Sequence, residues 1–82
     1  MNLEEAQKII DEVDSDLDIK HRKYSGITLL NTFVDELDFA AGHDIIYCCD
    51  FESVVKKMTE TEVTLMARYG FFEEEDSWAF FT

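Results

Sequence analysis

Apolar residues recur at helical spacing at the start of the chain: Leu3, Ala6, Ile9, Ile10 and Val13, with Glu4, Glu5, Lys8, Asp11 and Glu12 on the other faces. The pattern predicts a helix over about 3–14, with Ala6, Ile9 and Val13 turned to the core. Asn2 followed three residues later by Glu5 fits a capping box that would satisfy the first free amides. A second stripe of Ile27, Leu30, Phe33, Val34 and Leu37, widened by Leu29, predicts a helix capped by Ser25. It fades through Phe39-Ala40-Ala41, and Gly42 can supply a left-handed stop. Phe33, Leu30 and Leu37 are the expected centre of the core.

The period then changes. Residues 44–49, Asp-Ile-Ile-Tyr-Cys-Cys, read as a short strand rich in β-branched and aromatic side chains. Asp50 can cap a short helix over 51–58, on which Phe51, Val54, Val55 and Met58 share one face. Thr59 and Glu62 repeat the capping-box spacing ahead of Val63, Met66, Ala67 and Tyr69, and Gly70 is the expected stop. The tail reads as a hairpin: Phe71-Phe72, an acidic turn over 73–76, then Trp78 to Phe81. Alternation would place Trp78 and Phe80 on one face of the last strand and Ala79 and Phe81 on the other. These elements predict a small single α+β domain spanning 1–82. About four short helices would pack on a two- or three-stranded, largely antiparallel sheet.

Composition supports a packed core. Hydrophobic residues make up 46% and aromatics 13%, so the heavy charge does not imply disorder. No apolar run approaches a bilayer span, and the acidic N-terminus lacks a secretory pattern, so a cytoplasmic location without membrane contact is expected.

The dominant chemical feature is charge. Nineteen acids against seven bases leave a formal net charge of -12. Such an excess favours solubility while adding self-repulsion to the compact state. Most of the acids fall into three groups: the first helix and its exit, the end of the second helix, and the hairpin turn. Carboxylates one helical turn apart, at about 5–6 Å, approach the separation of neighbouring phosphates. The residues expected to meet a partner are Glu4, Glu5, Asp11, Glu12, Asp35, Glu36, Asp38, Glu73, Glu74, Glu75 and Asp76.

Other chemistry is weakly encoded. Asp14, Asp16 and Asp18 match the start of a calcium loop, but Ile19 and Ser25 stand where its glycine and bidentate glutamate belong. His21, His43, Cys48 and Cys49 are zinc-type donors, yet adjacent strand cysteines point to opposite faces. No spacing fixes a histidine against a thiol, so no nucleophile, cofactor or metal site is predicted and the chain is not expected to be an enzyme. Lys20, Arg22 and Lys23 form the one basic cluster, too small against the total charge for direct nucleic-acid binding.

The expected partner is therefore a basic protein surface, such as the nucleic-acid-binding cleft of a nuclease, a restriction or CRISPR system, or a DNA-binding protein. In size and charge, with no shared motif, the chain resembles small acidic proteins of phage and mobile elements, including anti-restriction and anti-CRISPR proteins. The alternatives are a protein–protein interaction, immunity or regulatory module recognised through exposed aromatics, and an acidic domain without phosphate mimicry.

Overall fold

The computed structural model describes residues 1–82 and shows an α+β fold with four helices and a four-stranded antiparallel sheet. The helices are α1 (Leu3–Glu12), α2 (Arg22–Leu30), α3 (Phe51–Val55) and α4 (Glu60–Arg68). The strands are β1 (Ala40–Ala41), β2 (Ile45–Asp50), β3 (Phe72–Glu74) and β4 (Ser77–Phe81), arranged in the order β1-β2-β4-β3.

Local side-chain chemistry sets three of the four helix starts. Asn2 Oδ1 accepts the Glu5 amide at 2.8 Å, and Asp50 accepts the Ser53 amide at 2.9 Å. Thr59 and Glu62 complete a reciprocal capping box at the start of α4. At the far end of α4, Gly70 has φ 87°, its amide reaches Ala67 and the Phe71 amide reaches Met66. That double closure is a Schellman motif, and it delivers Phe71 directly into the core.

The second helix departs from expectation at both ends. It begins at Arg22, behind His21 in a left-handed conformation with no side-chain cap, so Ser25 is an interior residue. It ends at Leu30, because Thr32 turns back and offers both its amide and its hydroxyl to the Leu29 carbonyl. Phe33, Val34 and Leu37 therefore reach the core from an irregular segment and are only partly buried, while Leu30 is wholly buried. Ile9 and Ile10 likewise lie at the core margin, with Ala6 the one fully buried residue of α1.

Gly42 does not end a helix. It sits in the β1–β2 connection, where its amide reaches Ile45 and the left-handed residue is Asp44. The sheet gains β1, a strand beyond the two or three expected, because Ala40 and Ala41 pair with Tyr47 and Ile46.

The core lies between the helices and one face of the sheet. Trp78 packs on Phe51 with ring centroids 4.7 Å apart, and Phe80 packs on Phe71 at 5.0 Å. Val55, Val63 and Met66 fill the space around them. A bulge at Cys48 interrupts the β2–β4 register, so that Tyr47 pairs with Ala79 and Cys49 with Trp78. The bulge reconciles a buried Cys48 with a Cys49 that also packs against the core.

The β3–β4 turn is tight. Glu75 and Asp76 have φ of 49° and 63°, both left-handed, as a two-residue type I′ hairpin requires. Neither residue is the usual choice for that conformation. Replacing the pair by Asn-Gly is expected to stabilise the fold by about 1 kcal/mol, read as a higher urea midpoint at unchanged slope. An unchanged or lower midpoint would show that the native turn stores no such strain.

Candidate functional site: an acidic depression beside the hairpin

The site begins with the hairpin register. Glu73 lies opposite Trp78, on the core-facing side of β3, whereas Glu74 lies opposite Ser77 on the other side. Glu73 Oε2 also accepts the Asp76 amide at 2.9 Å, tying the two ends of the turn together. The acidic turn thus straddles the end of the sheet and presents carboxylates to both faces.

On the helix side, Glu73 and Asp76 meet Glu4 of α1 and Glu52 of α3. Together with Leu3, Gln7 and Phe51 they line a depression of about 250 Å³ that has no basic residue in its wall. The arrangement follows from the fold. The Phe51 amide donates to the Asp76 carbonyl, binding the start of α3 to the turn. The Met1 nitrogen donates to the carbonyls of Val55 and Met58, which holds the start of α1 against α3. Glu52 also pairs with Lys56 at 3.2 Å, outside this wall; Glu4, Glu73 and Asp76 have no cationic partner.

The other expected partner residues are distributed differently. Glu5 and Glu12 join Glu60 around a second depression, where Lys8 dilutes the charge. Asp11 accepts from Gln7 Nε2 at 3.0 Å within α1. Asp35, Glu36 and Asp38 are exposed on the segment leading to β1, at the sheet edge opposite β3. Three strand spacings, about 14 Å, separate those edges. Glu74 and Glu75 are exposed at the hairpin end. The structure therefore gathers Glu4, Glu73 and Asp76 with Glu52, and leaves the remaining acids in separate groups. Sequence reading passed over Glu52 because it looks like part of the solvated face of a short helix. Its proximity to Glu73 and Asp76 depends on strand pairing and on the Phe51 amide reaching the Asp76 carbonyl.

Only two of the nineteen acids form ion pairs, Glu52 with Lys56 and Asp16 with Arg68 at 3.2 Å. Asp16, one of the three calcium-loop candidates, instead anchors the α1 exit: it holds Arg68 and accepts the Asp18 amide. All seven lysines and arginines lie outside the four strands, in helices and their flanking turns. Lys23 contributes differently from a pair, placing its ammonium 5.7 Å from the Phe80 ring centroid.

The zinc-type donors are dispersed: His21 and His43 are exposed while Cys48 is buried. No three His, Cys, Asp or Glu side chains stand together as a metal-binding group. Burial pushes the Cys48 thiol up to about 12, and burial together with Asp50 pushes Cys49 up to about 11. Both are protonated at neutral pH, and a thiol is a poor nucleophile in that form. The Asp50 carboxyl is held below its ordinary range by its hydrogen bonds from Ser53 at the α3 cap. No helix is long and apolar enough to cross a membrane.

Comparison of the chain with protein-family models, with curated proteins and with solved structures finds no match.

Proposed function

We propose that the chain is a non-enzymatic, acidic protein-binding inhibitor or adaptor that occupies a basic surface on another protein. The observation that carries this reading is the convergence of Glu4, Glu52, Glu73 and Asp76, from three separate parts of the chain, on a depression with no base in its wall. Like charges brought together in a small fold raise its energy unless a counter-charge arrives. A lysine or arginine from a partner would supply that charge, and the surrounding acids would steer its approach. A cleft that normally holds nucleic-acid phosphates is the class of basic surface that fits, with the chain acting as a competitor for it in the cytoplasm.

The test is a partner captured by affinity purification, followed by kinetics on the purified pair. Association is expected to slow as salt rises, because long-range attraction is screened over about 10 Å at 0.1 M. Glu4→Gln, Glu52→Gln and Asp76→Asn combined should slow association several-fold while preserving the fold, since asparagine tolerates the left-handed turn position. Nucleic acid should compete with the chain for the same cleft. Association indifferent to both salt and the triple variant would defeat the reading.

A further inference from the structure

All four helices contribute residues to the core cluster on the Trp78 and Phe80 side of the sheet. The opposite side has no helix against it. Register places Ile45 beside Phe81, and Tyr47 beside Ala79, which in turn sits beside Phe72. The rings of Phe72 and Phe81 pack at 4.7 Å between centroids, and Phe81 is 60% exposed. Ala79 is wholly buried yet stands outside the main core cluster. Its larger neighbours shield it, so it forms the floor of a second, open aromatic layer. The carboxylates of Glu74 and Glu75 border that layer at the hairpin end. Partial desolvation raises the Tyr47 phenol, and the carboxylates of Glu75 and Glu74 push it in the same direction.

We propose that this helix-free face, formed by Ile45, Tyr47, Phe72 and Phe81 over Ala79, docks a protein surface that presents arginine beside aliphatic side chains. The inference rests on the basic-partner reading above and adds a second contact face, on the side of the sheet away from the Glu4–Glu52 depression. Aromatic faces accept a guanidinium by stacking, and carboxylates at the rim accept its N–H fork, so arginine suits this combination better than lysine. The aliphatic neighbours would cover the remaining ring surface. Charge selects among occupants. The strands carry no lysine or arginine, so a second copy would add its own -12 charge and bring no cation to Glu74 or Glu75. Nucleic-acid phosphates would be repelled by the same rim.

The probe is a synthetic peptide of three Arg-Ser-Leu-Ser repeats, titrated into the isotope-labelled chain at 150 mM salt and followed by amide NMR. Controls replace its arginines by glutamate, or its leucines by serine. The arginine–leucine peptide is expected to shift the amides of Ile45, Tyr47, Ala79 and Phe81, and both controls to bind at least about tenfold more weakly. Phe81→Ser should weaken binding about tenfold, as truncating a central aromatic anchor does. Glu74→Gln with Glu75→Asn should weaken it as well, which keeps the test decisive if Phe81→Ser perturbs β4. Shifts confined to the Glu4–Glu52 depression would overturn this face while leaving the acidic reading intact. Equal binding by the glutamate control, or no binding by the arginine peptide, would also overturn it. So would a dimer of the free chain that Phe81→Ser dissociates. The basic-partner reading stands or falls separately, on the salt dependence of the captured partner.

Discussion

Gly26→Ala is expected to destabilise the fold by about 2–3 kcal/mol, although alanine is the better helix former by about 1 kcal/mol. Gly26 is buried in the middle of α2. A Cβ there would lie 2.8 Å from Phe71 Cδ1 and closer still to Cε1 and Cζ of the same ring. Phe71 has little freedom to retreat, because the Schellman closure fixes its backbone and Phe80 packs on its other side. Urea denaturation followed by circular dichroism measures the balance. A higher midpoint in the variant would show that the ring moves aside and that intrinsic helix propensity prevails.

Trp78→Ala should have the largest single effect, a loss of about 3–5 kcal/mol. The side chain is wholly buried, contacts Phe51, and stands on one of the two interior strands of the sheet. Its indole N–H is buried without an acceptor among the protein atoms. An unpaired buried donor costs about 1–3 kcal/mol, so the native tryptophan contributes less than its area suggests. Trp78→Phe keeps most of the ring packing while also removing the orphaned donor, for an expected loss of about 1–2 kcal/mol. A loss of about 3 kcal/mol or more from Trp78→Phe would show that the indole N–H is hydrogen-bonded in solution, its lost bond adding to the cavity.

The parts of the fold that were legible in the sequence are those decided within a few residues. Asn2, Asp50 and the Thr59–Glu62 pair announce helix starts because a side chain must reach an amide two or three positions away. Gly70 announces an end because α4 closes on a left-handed residue. The alternation of Trp78, Ala79, Phe80 and Phe81 also held, with Trp78 and Phe80 in the core and Phe81 outside it. What escaped depends on distant partners. Ala40-Ala41 has no strand character of its own and becomes a strand only by pairing with β2. The Phe33–Leu37 stripe keeps its inward orientation without remaining helical, since an apolar period reports what is buried more directly than how the backbone gets there.

The candidate site divides in the same way. The hairpin acids and Glu4 were identifiable from charge alone. Their meeting with Glu52 follows from the Phe51 amide reaching Asp76 and from the Met1 nitrogen capping α3, contacts that join opposite ends of the chain. Charge density was readable; charge geometry required the tertiary structure. The type I′ turn escaped for another reason. Glu75-Asp76 lacks the glycine or asparagine that ordinarily marks such a bend, so the turn is imposed by the pairing of β3 with β4.

The sheet's two borders have a consequence for how this protein can associate. β1 offers only two residues, and β3 only three, two of which are Glu73 and Glu74. An incoming strand at β3 would have to align beside adjacent carboxylates, and at β1 it would find too few backbone groups to hold a register. Both rims thus disfavour lateral strand addition, the usual route by which small sheets recruit one another into fibrils. With growth along the hydrogen-bonding direction blocked, the aromatic layer can remain open to a partner without turning the molecule into a template for its own aggregation.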